Sequence, residues 1–199
     1  MPGSTTTIHG KLYGQQHIRR MRGGAQSHLM RASDGAYHVV KFVNNPQHPR
    51  VLANEFLASR IGVCLGLPMA QVNVIEVSDW LIQNTPELCI ESAGHKMPCR
   101  SGLQLACRYV ADPECDMVFD YLPESMSANI DNLNMFAACL AFDKWTCNAD
   151  GRQAVFTRPS QYRRFNVTFI ESGKRASLLA LSPLRTGRES FPSSGSSHV

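Results

Sequence analysis

The chain has no apolar run of the roughly eighteen residues that a membrane-spanning helix needs. Its start, Met1-Pro-Gly-Ser-Thr-Thr-Thr7, lacks the apolar core of a signal peptide. Seven cysteines, at 64, 89, 99, 107, 115, 139 and 147, are odd in number and never stand in Cys-x-x-Cys spacing. Closely spaced ligand pairs are what a zinc site is built from, so this set argues against one. Cys64, Cys139 and Cys147 fall in apolar helical stretches and read as small core residues. No Walker A loop, G-x-G-x-x-G pattern or internal repeat occurs. Charge is sparse too, at 18% of residues and +4 net, which suits a phosphate ligand or a loose nucleic-acid partner and decides neither. These absences point to a reduced, soluble, cytoplasmic protein. Its 199 residues suffice for one ordinary domain or two small lobes.

What is present is order along the chain. Residues 1–20 read as a polar lead-in, and Gln16 to Gly24 is basic, closing on Arg22-Gly23-Gly24. Two β-rich runs flank Asp34-Gly35, the signature of a tight hairpin turn. On the second run Tyr37, Val39, Lys41 and Val43 share one face by the period of two. Asn44 to Pro49 makes a turn, with Pro49 suited to open a helix. Leu52, Phe56, Leu57, Ile61 and Cys64 then recur at helical spacing until Gly66-Leu-Pro68 stops them. Gln71 to Val77 alternates as a strand, and Ser101 to Val110 is the clearest strand of the ambiguous stretch that follows. Ile130, Leu133, Phe136, Ala137, Leu140, Ala141 and Trp145 form a second helical stripe, which runs into Asn148-Ala-Asp-Gly-Arg152. Val155-Phe156 and Asn166–Ile170 predict a strand pair. Lys174 to Val199 is rich in Ser, Arg and Gly and reads as a disordered tail.

Lys41 is the first residue out of place, since a charge on an apolar strand face is costly to bury unless paired. Taken alone, it equally fits a lysine that snorkels to water. Glu55, fourteen residues on and beside Leu52 and Phe56, supplies a partner on the inward side of the next helix. A strand lysine held by a helical glutamate is how kinases grip nucleotide phosphates. Gly24-Ala25-Gln26-Ser27 ahead of the hairpin has the small residues that let backbone N–H groups approach a phosphate, although a plain flexible turn looks the same. Asp150 follows a buried helix and precedes a strand pair, as a base that accepts a hydroxyl proton does; an Asx-type turn is the simpler account of it.

Together these residues resemble the HipA-like kinases. The resemblance rests on Gly24-Ala25-Gln26, Val40-Lys41, Val51-Leu-Ala-Asn-Glu55, Leu65-Gly-Leu-Pro68 and Phe142-Asp-Lys-Trp-Thr-Cys-Asn-Ala-Asp-Gly-Arg152, and covers about residues 20–173. It implies an α+β, protein-kinase-like fold with a small β-rich N-terminal lobe and the start of a helical C-terminal lobe. It further implies ATP and magnesium as cofactors, a protein Ser or Thr as acceptor, and the setting of bacterial toxin–antitoxin systems with an antitoxin-like partner. The Gly24–Ser27 loop would cover the phosphates, Lys41 would contact them, Glu55 would hold Lys41 and Asp150 would be the catalytic base. Where the family has a magnesium-binding Asn the chain has Gly151-Arg-Gln-Ala-Val155, so Gln153 is the candidate there; Ile170-Glu171-Ser-Gly173 makes Glu171 the second metal ligand.

The division expected is a lead-in over 1–20, a nucleotide-binding lobe over 21–123, a partial C-terminal lobe over 124–173 and the tail over 174–199. Since the resemblance implies a longer helical lobe, the chain reads as a C-terminally truncated copy. A truncated pseudokinase, working as a nucleotide- or partner-binding module, is the second reading. A nucleic-acid module is the third, resting on Arg19-Arg-Met-Arg22 and the basic tail. Neither a paired aromatic platform nor a helix-turn-helix pattern supports it.

Overall fold

The expected hairpin forms from β2 (His28–Ala32) and β3 (Tyr37–Lys41), antiparallel across the Asp34-Gly35 turn. Gly35 takes a φ of 75°, and Asp34 Oδ1 accepts from Ala36 N at 3.0 Å, the side-chain bond that makes Asp a turn residue. These coordinates are a computed structural model that describes residues 10–21, 24–47, 49–92, 94–111, 116–148, 152–159 and 162–171. The expected tail over 174–199 lies outside the described residues.

Before the hairpin stands a strand where a polar lead-in was expected: β1 (Leu12–Arg20) pairs antiparallel with β2. Most of its residues are exposed, and two register irregularities break its alternation, so it carries almost no periodic apolar signal. Helix α1 (Pro49–Cys64) and β4 (Val72–Val77) follow, as the periodicities predict. The ambiguous stretch resolves into a short helix α2 (Asp79–Gln83), a hairpin of β5 (Cys89–Ser92) and β6 (His95–Pro98), and β7 (Gly102–Arg108). Strand β7 inserts between β3 and β4, and β1 meets β4 in parallel, closing a barrel in the order β1-β2-β3-β7-β4.

Both faces of β3 are therefore covered. Inside the barrel, Val40 and Phe42 join Met30, Ala32, Ile75 and Val77. Outside, Val39 and Val43 meet Val72, Leu105 and Cys107 under Leu52 and Phe56 of α1. At about 1.5–3 kcal/mol for each fully buried large aliphatic or aromatic side chain, this two-sided packing fixes β3 against both the core and the helix. One end of the barrel interior is polar: the fully buried His28 meets His17 (Nε2 to Nδ1, 3.1 Å) and Cys99 (Sγ to Nε2, 3.8 Å).

Helix α1 stops where the sequence says. Gly66 adopts a φ of 76° while Leu67 N bonds Gly62 O at 2.9 Å, a left-handed helix end that favours glycine. A second sheet, β10-β9-β8, is built from β8 (Asp116–Phe119), β9 (Arg152–Pro159) and β10 (Asn166–Glu171). A 3-10 turn over Glu124–Asn129 leads to α3 (Met135–Trp145). The aromatic cluster between this sheet and α3 extends to Leu67 and Met69 after α1, and Met69 bridges Phe169.

Two expectations fail here. The buried residues of α3 are Cys139 and Phe142, while Leu133, Leu140 and Trp145 of the predicted stripe are 44%, 52% and 67% exposed. Apolar residues surround α3, so its period alone could not select the buried side. Likewise Cys139 is a core residue, but Cys64 and Cys147 are exposed, because each sits at or past a helix end. The coarse class is as expected: mixed α+β, rich in sheet and with few helices. No helix among the described residues is long and apolar enough to cross a membrane.

Candidate functional site

Lys41 ends β3 on the face turned to α1, and its Nζ lies 2.7 Å from both Oε1 and Oε2 of Glu55. The residues are 6% and 2% exposed, so the pair is sealed from bulk water. The lysine does not snorkel. Cys107 on β7 donates its Sγ–H to Glu55 Oε1 at 3.4 Å, a third group on that carboxylate.

The backbone just past Lys41 is fixed by side-chain amides. Gln104, 2% exposed on β7, accepts from Val43 N at 2.8 Å through Oε1 and donates Nε2 to Arg100 O at 2.7 Å. Asn45 donates Nδ2 to Phe42 O and accepts from Gln47 N, both at 2.7 Å, turning the chain toward α1. Cys107, Gln104 and Asn45 were not singled out from sequence. The only signal for Gln104 was a polar residue inside an apolar strand run.

The Gly24–Ser27 loop is held rather than loose. Ser27 O accepts from Met21 N at 2.8 Å, and Gln26 sits at a φ of 48°. Gln26 donates Nε2 to Glu91 O at 2.6 Å, and its Oε1 accepts from Glu91 N at 2.7 Å, which straps the loop to β5. Ala25 and Ser27 are buried. Gln26 is thus occupied with the backbone of β5, a role its place in the motif did not suggest.

Asp150 lies outside the described residues, as do Ala149 and Gly151, but both flanks are tied to one carboxylate. Asp143 Oδ1 accepts from Arg152 Nε at 2.5 Å and from Asn148 Nδ2 at 3.1 Å. The buried Arg152 guanidinium also stands over the Phe142 ring at 5.1 Å. This brace was legible only as an acid inside an apolar helix, nine residues before an arginine. Asp143→Ala should cost about 1.5–3 kcal/mol, the range for hydrogen bonds to charged groups, while Asp143→Asn, which keeps an acceptor, should cost less. Urea unfolding of the three forms measures both.

For the metal, Gln153 is half-buried opposite Ile170, and Glu171 stands opposite Arg152, so the register does not set Gln153 across from Glu171. The Glu171 side chain is outside the described residues. Among the described residues no group of three His, Cys, Asp or Glu side chains is arranged to hold a metal ion. The described donors therefore do not by themselves make a magnesium site, which prefers several hard oxygen ligands.

Comparison with known proteins adds one positive finding. No curated protein and no solved structure matches the chain. The family model described as HipA-like kinase matches residues 15–158, a span that holds all of the barrel but the start of β1, the Lys41–Glu55 pair and the Asp143–Arg152 brace. On that match the chain belongs to the HipA-like kinase family.

Proposed function

We propose that the chain binds ATP with magnesium and transfers the terminal phosphate to a Ser or Thr hydroxyl of a protein. The observation that carries this reading is the buried Lys41–Glu55 pair, with β3 supplying the lysine and α1, between β3 and β4, supplying the glutamate. Phosphoryl transfer asks little covalent chemistry of a protein and much positioning, so a rigidly held ammonium is the part to expect. In this reading residues 21–123 are the nucleotide-binding lobe and 124–173 the start of the catalytic one. Lys41 contacts the phosphates, Glu55 fixes Lys41, and the Gly24–Ser27 loop covers the nucleotide. Asp150, which lies in sequence between Asn148 and Arg152, takes the acceptor proton. Glu171, with Gln153 as the weaker donor, would hold the magnesium, which would neutralise phosphate charge.

Thermal unfolding with ATP, with and without magnesium, tests the binding. A ligand specific to the folded state at a hundred times its dissociation constant stabilises by about 2.7 kcal/mol. Lys41→Met should remove that gain, because the contact is made in ground and transition states alike. Asp150→Asn should keep it while radiolabelled phosphate transfer falls by a hundredfold or more. Brisk transfer by Asp150→Asn would remove Asp150 from the mechanism.

The second reading is a pseudokinase that binds a nucleotide or a partner without turnover. The register of Gln153 favours it, since the residue standing in for the magnesium-binding Asn has no carboxylate opposite. ATP binding with no transfer to any protein would select it.

A further inference from the structure

The β5–β6 hairpin is a sheet of its own, separate from the barrel, yet it is tied to both parts of the proposed phosphate grip. On one side Gln26 holds Glu91: its Nε2 donates to Glu91 O at 2.6 Å and its Oε1 accepts from Glu91 N at 2.7 Å. On the other side stands Asn44, three residues past Lys41. Its Nδ2 donates to Pro98 O at 3.1 Å, and its Oδ1 accepts from Arg100 N at 2.9 Å. Ile90, wholly buried in one cluster with Met30, Phe42 and Leu88, anchors β5 in the barrel core. One element thus reaches from the Gly24–Ser27 loop to the turn that follows the lysine.

Gln26 is not the residue a plain turn selects. Its φ of 48° lies in the left-handed region, which glycine enters freely and a long side chain does not. Such a conformation persists only where surrounding contacts hold it, and here they are made by the Gln26 side chain itself. Besides the two bonds to Glu91, its Oε1 accepts from Arg20 Nη2 at 2.5 Å. Both main-chain groups of Glu91 turn to this amide, which pairs them as a neighbouring strand would. A donor and an acceptor on one planar group match a peptide unit; a carboxylate or a hydrocarbon does not.

We propose that the β5–β6 hairpin sets the Gly24–Ser27 loop over the nucleotide phosphates, with Gln26 as the positioning residue through which it acts. The inference rests on the nucleotide-binding function proposed above. Gln26 itself then touches no phosphate. Main-chain N–H groups of the loop do so, and the strap to Glu91 fixes their direction before the nucleotide arrives, so that little ordering is left for the binding step. Because Asn44 ties the same hairpin to the chain beyond Lys41, loop and lysine are kept at one separation. Phosphoryl transfer depends on that kind of fixed positioning.

Gln26→Gly is the test, because it relieves the positive φ while deleting the strap. Its melting temperature should stay close to that of the parent, whereas its affinity for ATP with magnesium, read by calorimetric titration of the full chain, should fall by about tenfold. Gln26→Asn keeps the amide and tolerates the φ but is one methylene too short to reach Glu91, so it should fall as far. Hydrogen exchange gives a readout that needs no variant: the Glu91 amide should be protected in the free parent and more so with ATP, by reciprocity of the coupling. In Gln26→Gly that amide should exchange freely, and ATP should not slow it. Parental ATP affinity in Gln26→Gly or in Gln26→Asn overturns the inference and leaves the proposed function standing. So does a Glu91 amide that exchanges freely in the free parent. A parent that binds no ATP, with Glu91 protected, defeats the proposed function and this inference with it.

Discussion

Glu55→Leu should cost the folded chain about 3–5 kcal/mol, among the largest losses expected of any single substitution here. The carboxylate holds Lys41 Nζ at 2.7 Å from each oxygen, inside a site where both residues are almost wholly buried. Removing it leaves an ammonium in a low-dielectric setting with its principal counter-charge gone, and desolvation then dominates. The double substitution Lys41→Met with Glu55→Leu should recover most of the loss. Two apolar side chains of similar volume need no desolvation, and a buried ion pair gains little over them once that cost is counted. Urea unfolding of the four forms gives the cycle, and strictly additive losses would show that the two residues do not act as a pair. The double variant also separates stability from function: it should fold well and bind no ATP. Cys107→Val removes one donor from the same carboxylate, so its effect should be smaller and rescued by Cys107→Ser, which keeps a donor.

Acid should weaken the barrel chiefly through His28. Burial first, and the neighbouring His17 second, push the His28 imidazole down from 6.5 to about 4, while a backbone bond from the Cys89 region opposes them and Arg20 adds slightly. Cys99 offers no anion to hold a proton there, since burial pushes its own thiol up to about 12. The folded state thus keeps His28 neutral where the unfolded chain protonates it. The contribution is fully present above pH 6.5, is lost as pH falls, and is exhausted below about 4. At 1.36 kcal/mol per pH unit this amounts to about 3 kcal/mol. His17 is lowered as well, by burial foremost, and adds in the same direction. His28→Gln, neutral throughout and able to donate and accept, should flatten the stability profile between pH 6.5 and 4. Urea unfolding at half-unit pH steps would show it; a variant as acid-labile as the parent would clear His28.

Much of the fold's skeleton was legible where one local signal had one structural outcome. Asp34-Gly35 could only turn, and Gly66-Leu-Pro68 could only end a helix. Lys41 and Glu55 were readable as a pair because each was a charge on an apolar face, and burying both together relieves the cost of either. Strand β1 was not readable, because its stability comes from main-chain pairing to β2 and β4 rather than from its own side chains. The exposed side of α3 was misread for the opposite reason, since apolar residues ring that helix. Gln104 and Cys107 reach the site from a strand more than sixty residues after Lys41, and no local pattern encodes that distance. The ties of Asp143 to Asn148 and Arg152 are of the same kind, as Asp143 matters through where α3 and β9 meet.

The insertion of β7 between β3 and β4 also sets an order of events during synthesis. β1, β2 and β3 pair with near neighbours and can form within the first fifty residues, but β4 has no antiparallel partner until residues 102–108 arrive. At roughly 5–20 residues per second, the ribosome leaves the facing edges of β3 and β4 open for several seconds. Pairings across such sequence separations also slow the search itself, since loop closure must precede the contacts that reward it. The nascent chain is therefore most prone to misassociation after β4 emerges and before β7 does. Ribosome-bound chains halted just short of Gly102 should be the aggregation-prone ones, and those extended well past Arg108 should not.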